Sequence, residues 1–258
     1  MGFFASLLKS TVSLLFILSL SSFILAWSFA EFTDYSTISK ILTDVYMQQM
    51  KPQIDTAFLN QIKNSMIQRC EESENKTANI SFAGFNLIFE CREIEETDIE
   101  TLLISKMVNA IYYRKYDCSF IECLKKGDAE QFSVIISKTA NDFFKKSTII
   151  LFLFSFSLFA LLFWVSGNTL SSRFAHLGIL LVIVSAPTFF LSNLISTLEA
   201  KFIPQEAVVI ASPIVSKIFF LIEAKYKIVA IIGFCLLFTS LIVWVFNKFK
   251  KKTLTAND

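Results

Sequence analysis

The stretch TIILFLFSFSLFALLFWVS, residues 148–166, decides the fold. It contains no charged residue, no proline and no glycine. Coiled as a helix it rises about 28 Å, close to the roughly 30 Å of a bilayer's hydrocarbon core. Two further runs share this character, LGILLVIVSAPTFFLSNLIST at 177–197 and IVAIIGFCLLFTSLIVWVF at 228–246. A fourth, TVSLLFILSLSSFILAWSFA at 11–30, reads either as a spanning helix or as a secretory signal. Lys9 would then be the basic n-region and Ser28-Phe29-Ala30 the small-x-small cleavage site. Its length, beyond an ordinary signal core, favours a retained helix. The composition agrees: 54% of residues are hydrophobic and mean hydropathy is +0.57, more apolar surface than a soluble core of this size can hide.

The runs are unevenly spaced. Residues 31–147 form a polar gap that holds four of the five cysteines. The expected fold is therefore a mostly α membrane protein with four transmembrane helices and a small α+β extracellular domain inserted between the first and second. The predicted order is a cytoplasmic N-terminus (1–10), span 1 (11–30), the extracellular domain (31–147), span 2 (148–166), a cytoplasmic turn (167–176), span 3 (177–197), an extracellular loop (198–227), span 4 (228–246) and a cytoplasmic basic tail (247–258). Orientation rests on Lys248, Lys250, Lys251 and Lys252, which follow the last run directly and favour the cytoplasm. Lys145, Lys146, Lys225 and Lys227 oppose it from the other side. The cysteines and the glycosylation acceptors Asn75-Lys76-Thr77 and Asn79-Ile80-Ser81 agree with an exterior gap.

Within the gap, Ile38, Ile41, Leu42 and Val45 predict an amphipathic helix over 36–50, and Ile54, Phe58, Ile62 and Met66 a second over 53–69. EESENKTAN, 71–79, reads as a loop. Phe85, Leu87, Phe89 and Cys91 alternate with polar neighbours, which predicts a strand paired with 79–82 across a turn at Gly84. Thr97-Asp98-Ile99-Glu100 looks like a capping box opening a helix with the stripe Ile99, Leu102, Leu103, Met107, Ala110 and Ile111. A last stripe, Phe132, Ile135, Ile136, Ala140 and Phe143, leads into span 2.

Four cysteines allow three pairings. Cys70 with Cys91 and Cys118 with Cys123 are favoured: the first joins a helix end to a strand, the second closes a short loop. A zinc site fits poorly, because the gap has no histidine and no paired Cys-x-x-Cys knuckles. The dense carboxylates Glu90, Glu93, Glu95, Glu96, Asp98 and Glu100 lack calcium-loop spacing and read as a solvated loop and helix start. The only histidine, His176, reads as an interfacial residue beside Arg173.

No nucleophile elbow, metal motif or phosphate loop is present, and the four runs contain no ionisable residue, which argues against ion-coupled transport. Pro187 is expected to kink span 3. The apolar segment 207–222 is expected to be an interfacial or re-entrant helix. Four spans with a large first exterior loop resemble claudin-type tetraspan proteins in topology alone. The family's Trp…Gly-Leu-Trp…Cys…Cys pattern is absent, so no residue role carries over.

The expectation is a multipass, non-enzymatic protein of the plasma membrane, without cofactor, metal or nucleic-acid partner. Membrane lipid surrounds it, and its disulfide-stabilised extracellular domain binds a protein, an envelope component or a second copy. The alternative is a channel or transport component with 207–222 as its gate.

Overall fold

The computed structural model describes residues 3–49, 56–82, 85–126, 131–167, 169–187 and 205–254. The chain divides into two compact units, one of Met1–Phe29 with Phe144–Asp258 and one of Ala30–Phe143. It is mostly helical, with one two-stranded sheet among the described residues.

The first unit is built from α1 (Phe3–Phe32), α8 (Lys138–Val165), α9 (Leu170–Ser185) and α10 (Gln205–Leu254). Three segments are long and apolar enough to cross a membrane: Leu7–Phe32, Lys138–Val165 and Ile214–Phe249. Only 17% of the most apolar window in the second and 11% in the third is buried. Ile149, Ile150, Leu153, Phe156 and Trp164 on α8 are exposed, a surface that suits lipid and not water. Val12 and Phe16 of α1, Leu158 and Leu162 of α8, and Leu177, Leu180 and Leu181 of α9 form the packed centre.

The third apolar run departs from expectation. Its helix begins at Leu170, inside the stretch expected to be a turn, because the Thr169 side chain accepts a hydrogen bond from the Ser172 N–H and caps it. The turn shrinks around Gly167, whose φ of +152° strains any other residue. The helix ends at Ser185, with the Ala186 N–H on the Ile183 carbonyl. Pro187 thus lies beyond the helix and does not kink it; a proline disfavours helical geometry in the residue before it. The 16 residues of α9 rise about 24 Å. Residues 188–204, the rest of this run and most of the expected loop's start, lie outside the described residues.

The fourth run also differs. Gln205–Leu254 is one helix of 50 residues, so 207–222 is neither a re-entrant segment nor a separate interfacial helix. Its apolar sequence continues the helix into Ile228–Phe246, and the Glu223–Lys227 ion pair at 2.7 Å spans one turn of it.

The second unit contains α2 (Tyr35–Gln49), α3 (Thr56–Glu72), β1 (Thr77–Phe82), β2 (Phe85–Glu90), α4 (Cys91–Glu96), α5 (Ile99–Tyr112), α6 (Phe120–Lys126) and α7 (Gln131–Ile135). The strands pair antiparallel, with Thr77 opposite Glu90 and Phe82 opposite Phe85. Gly84, the expected turn, lies outside the described residues, as does 50–55. Alternation sorts β2 as its pattern requires: Leu87 and Phe89 are buried, whereas Ile88 is exposed. Leu87 and Phe89 pack with Met66 of α3, Ile94 of α4 and Ile99, Leu102 and Leu103 of α5. The opposite face of α5, Ile104 and Val108, packs on Tyr35 and Leu42 of α2. α5 is therefore the central helix of this unit, covered on two sides.

Three local expectations are corrected. The loop after Cys70 is short, since α3 runs to Glu72 and β1 starts at Thr77. Cys91 opens α4 instead of extending the strand. Asp98, not Thr97, caps α5: its carboxylate accepts from the Thr101 N–H. Thr97 is already committed as the end of α4, donating its N–H to the Glu93 carbonyl. The capping box belongs to α4, between Glu90 and Glu93. The last stripe also breaks. Ser137 donates its hydroxyl to the Val134 carbonyl at 2.6 Å and accepts from the Ala140 N–H, ending α7 and starting α8.

Candidate functional site

One end of the helical unit is uniformly basic. Lys9 of α1 approaches the Ser166 carbonyl at 3.5 Å, and the Arg173 Nε donates to the Gly167 carbonyl at 2.9 Å. Arg173 also lies over the Phe163 ring, and Lys248 over the Trp244 ring at 4.9 Å. Lys250, Lys251 and Lys252 occupy the last turns of α10. Described residues 3–13, 162–177 and 236–254 contain no carboxylate. The sequence reading relied on the tail alone; Lys9 and Arg173 join it at this end only through the packing of α1, α9 and α10.

His176 faces Ser13, Nε2 to Oγ 3.3 Å. The Ser13 hydroxyl proton already goes to the Lys9 carbonyl at 2.8 Å, so His176 Nε2 is the donor and Ser13 Oγ the acceptor. A base that donates does not activate a serine. The pair joins two helices and has no catalytic geometry.

The helices of this unit are held by small and hydroxylated residues. Ser19 of α1 bonds Ser155 of α8 at 2.7 Å. On the α9–α10 contact, the Ser171 hydroxyl donates to the Ser240 carbonyl at 3.0 Å, and the Ser240 hydroxyl to the Ser171 carbonyl at 2.8 Å. Two turns along, Gly178 and Gly233 meet: a Cβ on Gly178 would lie 2.9 Å from the Gly233 carbonyl oxygen. Small residues let helix backbones approach this closely in lipid.

Between α1, α8 and α10 runs a groove of about 310 Å³. Phe16, Phe23 and Trp27 line it from α1, Phe152 and Phe156 from α8, and Ile232 from α10. Two lining residues are not apolar, Ser155 and Lys225. The Ser155 hydroxyl is engaged with Ser19, and the Lys225 ammonium sits over the Trp27 ring, 4.1 Å from its centre.

The second unit carries the remaining candidates. Cys70 and Cys91 lie at disulfide distance with Cα atoms 5.6 Å apart, and Cys118 and Cys123 with Cα atoms 5.5 Å apart. The first pair ties α3 to the start of α4. The second clamps the first turn of α6, where the Ser119 N–H also donates to the Glu122 carboxylate. Cys235 is a free thiol on α10. Asn75, in the turn before β1, and Asn79, on β1, are exposed; the Asn79 carbonyl accepts from Arg69.

The carboxylate run is dispersed. Glu90 and Asp98 cap helices, Glu96 pairs with Arg92 and Glu93 with Lys106, both pairs within 2.8 Å. The hydrogen bond from Lys106 holds the Glu93 carboxyl below its usual range. No cluster of three or more metal-ligating side chains occurs among the described residues.

The sequence reading missed an aromatic group. Tyr35, Tyr112 and Tyr113 bring their rings within 5.0–5.8 Å of one another, with Lys138 over Tyr113. Burial, reinforced by Asp34, Tyr113 and Asp142, pushes the Tyr112 phenol up to about 12. Tyr112 was legible only as the residue following a stripe.

No family model, curated protein or solved structure matches the chain.

Proposed function

We propose that the protein is a multipass anchor that displays the Ala30–Phe143 unit outside the plasma membrane, where that unit binds a protein, an envelope component or a second copy of the chain. The observation that carries this reading is the separation of chemistry between the two units. The helices of the first contact one another through aliphatic side chains, serine pairs and two glycines, which hold helices together in lipid and move no charge. The second unit has its own apolar centre, two cysteine pairs and an exposed hairpin face.

The orientation follows from the basic end. Lys9, Arg173 and Lys248 gather there without a carboxylate, the bias that keeps an end in the cytoplasm. Ala30–Phe143 then faces the exterior, the compartment in which disulfides persist, and Asn75 and Asn79 become available to glycosylation. Lipid is the constant partner of the anchor, and the reading requires no cofactor and no catalysis.

The channel reading needed 207–222 as a gate; with that segment continuous in α10, no observation favours it. Reconstitution of the purified chain in liposomes tests the choice. An anchor adds no selective ion or solute flux above protein-free vesicles. Robust selective flux overturns the proposal.

A further inference from the structure

We infer that the groove between α1, α8 and α10 is a binding site for one phospholipid with an anionic headgroup, its acyl chain in the groove and its phosphate beside Lys225. Three observations meet here. First, the groove wall offers hydrocarbon almost throughout: Phe16, Phe23, Phe152 and Phe156 line it, and its one hydroxyl, on Ser155, is spent on Ser19. A polar ligand would lose its hydration without replacement, so the occupant's buried part is a hydrocarbon chain. Second, the groove's length matches a leaflet. Trp27 and Phe16 are separated along α1 by about 16 Å, and half of the hydrocarbon core is about 15 Å. Trp27 stands at the headgroup level, where tryptophan collects, and Phe16 near the bilayer centre.

Third, charge marks the same end. Lys225 is the only charged residue lining the groove, and its ammonium is held over Trp27. That contact fixes a positive charge at the level of a phosphate, where a lysine attracts anionic lipid. A second copy's helix would fill the groove with side chains but leaves this charge without an anion; an amphiphile satisfies both ends.

Trp27 reports the site directly. The chain has three tryptophans, so a Trp164→Phe, Trp244→Phe variant of the full chain emits from Trp27 alone. It is reconstituted in phosphatidylcholine vesicles containing a minor fraction of either brominated phosphatidylglycerol or brominated phosphatidylcholine. The anionic lipid should quench Trp27 with about a fivefold preference. Lys225→Gln should abolish the preference, and Lys225→Arg should restore it. A chain retaining Trp164 alone, far more exposed on α8, should show none. Equal quenching by both lipids makes the groove an ordinary lipid-facing surface and overturns the inference. Absence of quenching means that protein covers the groove, and overturns it as well.

Discussion

The Asn141 side-chain amide donates to the Ala30 carbonyl at 2.8 Å and to the Thr33 hydroxyl at 3.2 Å, and it is buried. One amide thus joins the end of α1 to the first turn of α8, residues far apart in sequence where the chain enters and leaves the second unit. Ser137, fully buried, ends α7 and positions that turn.

Asn141→Ala should destabilise the second unit by about 2 kcal/mol, the cost of removing one partner from buried hydrogen bonds. Asn141→Asp should cost more, because a carboxylate oxygen then faces a carbonyl oxygen. Amide hydrogen exchange across Tyr35–Gln49 and Ile99–Tyr112 reads both, as faster exchange in each variant and fastest in the aspartate.

Mass spectrometry of unreduced peptides should recover Cys70 joined to Cys91 and Cys118 joined to Cys123. Replacing both cysteines of the first pair by serine should cost about 3 kcal/mol, and of the second about 2 kcal/mol, since the loops close over 21 and 5 residues. Free thiols at all four positions would remove both the staples and the main argument for an exterior location.

Tyr112 gives the second unit a basic limit. Its folded value of about 12 lies above the ordinary 10.0, so the folded state holds the phenol's proton more tightly than the unfolded chain. The associated stability is complete below pH 10 and is lost as pH rises through about 12. Spectrophotometric titration should show one phenol ionising after the rest, and Tyr112→Phe should remove that late step.

Much of this second unit is legible in its own sequence, because its elements are short and each answers to a local period. Leu87 and Phe89 announce the buried face of β2, and Leu102 and Leu103 that of α5. The misses have a common cause. Ile104 and Val108 look like the polar side of one stripe until α2 covers them. Thr97 looks like a cap until α4, which has too few residues to show a period, claims it. Ser137 interrupts a good helical stripe by a hydroxyl-to-carbonyl bond that periodicity does not register.

In the first unit the apolar runs show which segments seek lipid, but not how they meet. Gly178 and Gly233 are unremarkable as letters; their meaning is the backbone approach between α9 and α10. Gly178→Leu should separate these helices. In a Cys235→Ser background, cysteines placed at Ser171 and Ser240 should cross-link readily, and adding Gly178→Leu should reduce the yield severalfold. Undiminished cross-linking would show that the glycines do not set the approach.

The central claim is the side on which Ala30–Phe143 stands, and an epitope inserted after Glu74, in the exposed turn before β1, tests it most directly. Antibody should bind intact cells, whereas a second epitope after Asp258 should be reached only after permeabilisation. Staining of the Glu74 epitope only in permeabilised cells would contradict the account.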